Sequence, residues 1–306
     1  MAGLQAIRPV ARARGLPAAR TQVRGQRVTP RTPKPAPGLL ARVLTALALG
    51  AVVLAVVFLG RPLGMAVLVA AVAAFAVAEF YRLERQEHRK PNEVFGIAAV
   101  AVMPLAAALF PAAGLVAVVS ALVGASLLWH LAFRQVSTAD TATTVFGALY
   151  VGFTLSHLVL LRALPEGTVL VLVTFVSVWA NDVFAYFIGV GVGRHKMAPH
   201  VSPHKSWEGF LGGGVCALLV WLAAFSLSQT PLGGTGLSLA WHAAIGVAVP
   251  LAALVGDLVE SRFKREAEAK DSGVLLPGHG GFLDRFDSMI VVSITVYYLV
   301  IIARAL

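Results

Sequence analysis

Asp257, Asp284 and Asp287 are the residues whose type and spacing most directly suggest chemistry. Asp284 and Asp287 stand about one helical turn apart, so a helix would project both from one face. With Asp257 supplied by a neighbouring helix, they could hold one or two hard divalent cations through oxygen. A plainer reading makes them helix caps that favour the dipole, which accounts for one carboxylate better than for two. Just before them, Pro277-Gly278 marks a turn, and His279-Gly280-Gly281 lets backbone approach a ligand. Amide N–H groups at the start of the next helix would suit phosphate. Seven of the fifteen acidic residues lie between Asp257 and Asp287, beside Arg262, Lys264, Arg265, Lys270 and Arg285. Carboxylates, cations and paired glycines together suit a metal-bound polyphosphate.

Asp257, Glu260, Ser261 and Lys264 fall at i, i+3, i+4 and i+7. If the helix continues past the apolar run, they share a face that offers carboxylate, hydroxyl and ammonium in turn. Glu260, Arg262, Glu266 and Glu268 read as an ordinary solvated helix end. Asp257 does not, because it follows the apolar stretch 247–256 and so sits at the hydrocarbon edge, where a carboxylate is functional or paired.

A second polar group lies upstream. Asn181-Asp182 interrupt an apolar stretch, followed by Gly189-Val190-Gly191-Val192-Gly193-Arg194-His195-Lys196 and Ser202-Pro203-His204-Lys205-Ser206-Trp207-Glu208-Gly209. The glycine run lacks the strand and acidic residue of a dinucleotide fold and serves equally as a flexible joint. The cations after it could neutralise a triphosphate. Ser202 and Pro203 are expected as N-cap and first residue of a short helix. His195, His200 and His204 match no common zinc spacing, and the single Cys216 excludes a multi-cysteine metal site and an internal disulfide. His130 and His157, on apolar stretches, read as satisfied by neighbouring helices, and Glu79 as paired with Arg82 or snorkelling.

The elements that must carry these residues are membrane helices. Of 306 residues, 58% are hydrophobic and 13% charged, with mean hydropathy +0.80. A soluble domain carries about twice that charge. The net charge of +10 is better explained by a membrane's basic side than by nucleic acid, which is not expected as a partner. A span needs roughly 20 apolar residues. That yardstick predicts an all-α polytopic integral membrane protein of about nine spans, near 39–59, 63–81, 93–110, 112–133, 142–162, 168–190, 209–228, 239–259 and 286–304. Short turns at Arg61-Pro62 and Pro111 predict tight helical hairpins, and Pro104 makes the third span the weakest. Residues 1–38 are expected to be a disordered basic cytoplasmic tail, residues 39–165 N-terminal spans, and 166–306 a catalytic region with cytoplasmic loops 191–208 and 260–285. With nine spans, 22 of the 25 Lys and Arg residues fall on one side, leaving Arg61, Arg162 and Arg304 on the other. That split predicts a cytoplasmic N-terminus and both polar loops in the cytoplasm.

The run from Ser261 through Phe263-Lys264-Arg265, Lys270-Asp271, Gly273, Leu276-Pro277, His279-Gly280-Gly281-Phe282 to Asp284-Arg285-Phe286-Asp287 resembles the signature of the phosphatidate cytidylyltransferase family. The block from Asn181-Asp182 to Glu208-Gly209 resembles that family's other polar region. The resemblance covers roughly 175–306. It implies a nucleotidyltransferase of phospholipid biosynthesis: CTP and phosphatidic acid giving CDP-diacylglycerol and pyrophosphate. It implies Asp257, Asp284 and Asp287 as ligands of Mg²⁺, with a second cation, divalent or K⁺, left open. Asp182 and Ser261 would lie close by, and Lys264 would join the catalytic set. Asn181, Asp182 and Ser202 would help bind substrate, and Lys205, Lys264, Arg265, Lys270 and Arg285 would serve the phosphates, with His279, Gly280 and Gly281 shaping the loop against nucleotide. Expected partners are CTP, phosphatidic acid and membrane lipid, with a homodimer left open. The implied location is the cell (inner) membrane, with the site facing the cytoplasm.

Two rival classes differ in what they require. A CTP-dependent polyprenol or phytol kinase would transfer the γ-phosphoryl group, and the intact signature argues against it. A secondary transporter would need charges at the membrane midplane and usually an internal repeat. Here the charges gather at one face and no repeat is visible.

Overall fold

The computed structural model describes residues 39–228, 234–273, 275 and 280–306, with the side chains of 39–46 and 49 outside the description. The predicted tail, 1–38, and His279 lie outside the described residues. Each predicted span has a helix among the described residues: α1 Leu39–Leu59, α2 Pro62–Gln86, α3 Glu93–Leu109, α4 Pro111–Ala132, α5 Thr138–Ala163, α6 Gly167–Val192, α7 Trp207–Ser228, α8 Leu239–Glu266 and α9 Leu283–Ala305. Seven are long and apolar enough to cross a membrane. At 17 residues α3 falls short, and in α1 the apolar stretch with described side chains is Gly50–Leu59.

Local chemistry accounts for where the helices begin. Pro62 and Pro111 occupy first-turn positions, where a missing N–H costs nothing. Asn92 accepts a hydrogen bond from the Phe95 amide (3.1 Å) at the start of α3. Ser137 and Asp140 form a reciprocal capping box on α5. α5 is interrupted by a π-helical turn at Ala148–Phe153, a deviation that appears frequently at functional sites.

The buried face of α2 reads Ala66, Val69, Ala73, Ala76, Phe80 and Leu83. Their alternating spacing of three and four residues is that of a helix facing other helices. Leu63 and Val67 on its other side are exposed, as lipid contact requires. In hydrocarbon, apolar burial gives no net drive between helices, so small side chains and interhelical hydrogen bonds hold the bundle. One such bond runs from Trp221 Nε1 to Ser177 Oγ (3.2 Å). α9 packs against α8 and also against α2 and α5, so the predicted N-terminal and catalytic halves interleave.

The arginines expected on the far side cluster at one end of the bundle. Arg162 donates to the Gly60 carbonyl (3.1 Å), next to Arg61. Arg304 donates to the Pro165 carbonyl (2.9 Å) and to Glu166 (3.0 Å). His130 bonds Thr141 Oγ1 (3.2 Å), and His157 bonds the Phe153 carbonyl of its own helix (2.9 Å).

The connection between α6 and α7 corrects an expectation. Ser202 and Pro203 do not start a helix. They belong to strand β2, Ser202–Ser206, which pairs antiparallel with β1, Lys196–Ala198. In the register Lys196 faces Ser206 and Ala198 faces Ser202, so Pro203 faces neither and its missing donor is tolerated. The capping role passes to Ser206, whose Oγ accepts from the Gly209 amide (3.2 Å) at the first turn of α7.

Candidate active site

Gly209 and Gly213 act first as packing residues. A Cβ on Gly213 would meet the Asn181 carbonyl oxygen at 2.5 Å, and one on Gly209 would meet the Ala185 carbonyl oxygen at 2.7 Å. α6 and α7 therefore touch backbone to backbone, which only small residues allow. That contact fixes Asn181 and Asp182 beside the β1–β2 hairpin. Asn181 Nδ2 donates to Asp182 (3.1 Å), while Asn181 Oδ1 is buried with no hydrogen-bond partner among the described residues.

A cavity of about 660 Å³ opens between α6, the hairpin, α7 and α8. That is within the size range of small-molecule sites. Asn181, Asp182, Lys196, His204, Lys205 and Asp257 line its polar side, and Tyr186, Val190, Phe210, Pro250 and Leu254 its apolar side. Lys205, projected from β2, forms an ion pair with Asp257 across the cavity. Ser261, one turn further along α8, lies 3.4 Å from Asp257. Asp257 and Asp182 act on each other and on Asp287 electrostatically, and Arg285 and Lys205 act on Asp182. Ser288, next to Asp287, also lines the cavity.

Lys264 anchors an adjoining cluster. Its Nζ lies 2.6 Å from Glu260 and 2.9 Å from Asp284. Asp284 also accepts from the Ser272 amide (3.0 Å), the Ser272 hydroxyl (2.9 Å) and the Gly281 amide (2.8 Å). Asp257, Asp287, Glu260 and Asp284 thus form a chain of carboxylates along α8 and α9, neutralised at its ends by Lys205 and Lys264. Glu260 corrects another expectation: it is not a solvated helix end but is fully buried. α8 continues unbroken to Glu266, and packing against α9 turns that face inward. Arg262 and Glu266 do behave as expected, pairing on the exposed side (2.6 Å).

The Gly280-Gly281 pair brings backbone close to carboxylates rather than to open space. Gly280 has φ +77°, and a Cβ there would lie 2.7 Å from Asp284 Oδ2. Of the remaining predicted residues, Arg265 donates to the Val201 carbonyl (3.2 Å) and so ties α8 to the hairpin. Lys270 is exposed, and Ser202 is taken up in strand pairing.

Four residues near the site were not given a site role by sequence reasoning. Glu79 was expected to pair with Arg82 or snorkel, but it is buried and accepts from Ser272 Oγ (3.0 Å) and the Leu283 amide (2.9 Å). Arg82 donates to the Ser272 carbonyl. Tyr150, on the π-helical turn, has a buried hydroxyl with no hydrogen-bond partner among the described residues and feels Asp287, Glu260 and Asp257. Glu260 is the fourth. A lone carboxylate in an apolar run was the available signal for Glu79, but its partner lies some 200 residues on, out of reach of any spacing argument.

No three His, Cys, Asp or Glu side chains among the described residues converge closely enough to hold a metal by themselves. Mg²⁺ does not demand that, since it is usually held by one or two carboxylates, waters and substrate phosphates. The donor set of Asp257 and Asp287 is all oxygen, and the carboxylates in this chain outnumber the two lysines that neutralise it. That chemistry fits a hard divalent cation.

Comparison with known proteins finds named relatives of this chain. A phosphatidate cytidylyltransferase of Bacillus subtilis is 31% identical over 264 residues, 84% of this chain and 96% of that protein. One from Brucella abortus is 40% identical over 152 residues, covering 49% of this chain and 54% of that protein. One from Haemophilus influenzae is 45% identical over 124 residues, covering 40% and 43%. The chain thus spans about half the length of the Brucella and Haemophilus relatives and nearly all of the Bacillus one. The model of the cytidylyltransferase family matches residues 40–303, from the first described helix to the last and through every cluster above, and the chain belongs to that family.

Proposed function

We propose that this chain is a CTP:phosphatidate cytidylyltransferase, which joins CTP and phosphatidic acid to give CDP-diacylglycerol and pyrophosphate. The observation that carries the reading is the carboxylate chain of Asp257, Asp287, Glu260 and Asp284, flanked by Lys205 and Lys264, beside a cavity with one apolar side. A lipid phosphate can meet a nucleotide there while its acyl chains stay among the exposed side chains of α6 and α7. In the reaction a phosphate oxygen of the lipid attacks the α-phosphorus of CTP. The new P–O bond replaces the bond to the β-phosphate oxygen, and pyrophosphate leaves.

Both reactants are anionic, and the attacking oxygen is already deprotonated, so positioning and charge neutralisation matter more than a strong base. Lys205 is held at the cavity by Asp257 and exchanges that partner for CTP phosphate. Lys264 and Arg285 supply positive charge for the departing pyrophosphate. Asn181, at the cavity wall, restrains Asp182 through its amide. Asp257 and Asp287, joined by Asp284 if Lys264 releases it, would hold Mg²⁺. That ion, when bound, would lower the repulsion between the phosphates. The basic-residue asymmetry supports a cytoplasmic site in a cell membrane.

The test is an assay of purified protein in detergent with radiolabelled CTP, phosphatidic acid and Mg²⁺, with and without EDTA. CDP-lipid and pyrophosphate that vanish with EDTA and return with added Mg²⁺ are expected. Phospholipid with CDP would instead indicate γ-phosphoryl transfer, and EDTA-resistant turnover would reject the metal.

A further inference from the structure

We infer that Glu79, with Phe75 and Arg82, forms a clamp on α2 that positions the described parts of the segment before α9, residues 270–273 and 280–283, which makes Glu79 a positioning residue for the proposed reaction. Phe75, Glu79 and Arg82 stand at i, i+4 and i+7, so they form one stripe along α2. All three meet the same segment. Phe75 stacks on Phe282, with ring centroids 4.9 Å apart and planes inclined by 18°. Glu79 accepts from Ser272 Oγ (3.0 Å) and from the Leu283 amide (2.9 Å), and Arg82 donates to the Ser272 carbonyl.

The Leu283 bond matters because Leu283 opens α9. Its amide is one of the N–H groups left without an intrahelical partner, and no local side chain caps that helix. Glu79 supplies the cap from another helix, with a negative charge where the helix dipole favours one. The same carboxylate is linked to Asp284 through one hydroxyl. Ser272 Oγ lies 3.0 Å from Glu79 and 2.9 Å from Asp284, and its single proton serves one acceptor at a time.

The segment is shaped around this carboxylate. A Cβ on Gly273 would lie 1.9 Å from Glu79 Oε1, and one on Gly281 would lie 2.2 Å from Oε2, so a side chain at either position would displace the carboxylate. Glu79 is 4% exposed, and its Oε1 has no hydrogen-bond partner among the described residues. Burying an ionisable side chain this way is costly, and the return is the fixed entry angle of α9, which carries Asp284 and Asp287.

The clamp is tested by amide exchange on the full chain in detergent, which needs no CTP. Glu79→Ala should speed exchange across 281–286 at least tenfold while α6 and α7 keep their protection. In the enzyme assay kcat should fall at least tenfold, with KM for CTP within threefold. Glu79→Gln, which still offers one acceptor oxygen, should fall between the two in both readouts. Should Glu79→Ala fail to fold, Phe75→Leu removes only the stack and should raise exchange at 281–286 at least threefold. Unchanged exchange there in a folded variant, or equal acceleration along the whole chain, would overturn the clamp. Faster local exchange in a protein whose wild type makes no CDP-lipid would strike the proposed reaction and leave the clamp standing.

Discussion

Replacing Lys264 by Met tests whether the buried carboxylates are held as charges. In the structure Lys264 is the shared cation of Glu260, which has no solvent exposure, and Asp284, whose side chain is 9% exposed. Met fills similar volume but leaves both carboxylates facing each other without their ammonium. Removing one partner of a buried pair costs about 3–5 kcal/mol, because the remaining charge stays desolvated. Asp284 keeps three other donors, Ser272 N, Ser272 Oγ and Gly281 N, so most of the cost falls on Glu260. At about 2–4 °C per kcal/mol for a large domain, the melting temperature should drop by at least about 6 °C. Lys264→Met/Glu260→Gln should recover more than half of that drop, because the charge left behind has been removed. Glu260→Gln alone should cost less than Lys264→Met. The assay is thermal unfolding in one detergent for wild type, both single variants and the double variant, read as a double-mutant cycle. If Lys264→Met melts with wild type, or the double variant is no better than Lys264→Met, Glu260 does not carry a charge that Lys264 stabilises.

Three further outcomes follow from the same geometry. Asp287→Asn removes ligand charge without changing shape, so turnover should be lost while the melting temperature stays within a few degrees; turnover near wild type would reject the metal assignment. Lys205→Ala removes one charge-assisted contact, about 1.5–3 kcal/mol, so KM for CTP should rise roughly 10- to 150-fold, and an unchanged CTP dependence measured by initial rates would reject that role. Gly213→Val would push α6 and α7 apart at the Asn181 carbonyl, which a Cβ already meets at 2.5 Å. It should cost about 1–3 kcal/mol and lower activity, and a thermal melt and rate equal to wild type would show that the close approach is dispensable.

The membrane class and helix order were legible in the sequence because hydrocarbon tolerates few charges, so spans stand out as apolar runs bounded by polar ones. The aspartates at 257, 284 and 287 were legible for the same reason: carboxylates beside such runs need a partner. Their actual partners were not. Glu260 looked like a solvated turn because helical periodicity gives a face but not what the face meets, and only the packing of α9 on α8 buries it. Ser202-Pro203 looked like a helix start because cap residues and edge-strand residues overlap in type, and the choice went to the strand once β1 was there to pair with it. Glu79 was visible as a carboxylate closing the apolar run of α2, yet its tie to Leu283 joins residues far apart in the chain. Sequence by itself determined which segments enter the membrane and which polar residues must be accounted for, since both follow from local transfer free energy. Tertiary structure alone decided which carboxylate meets which cation, because that depends on how helices distant in sequence pack.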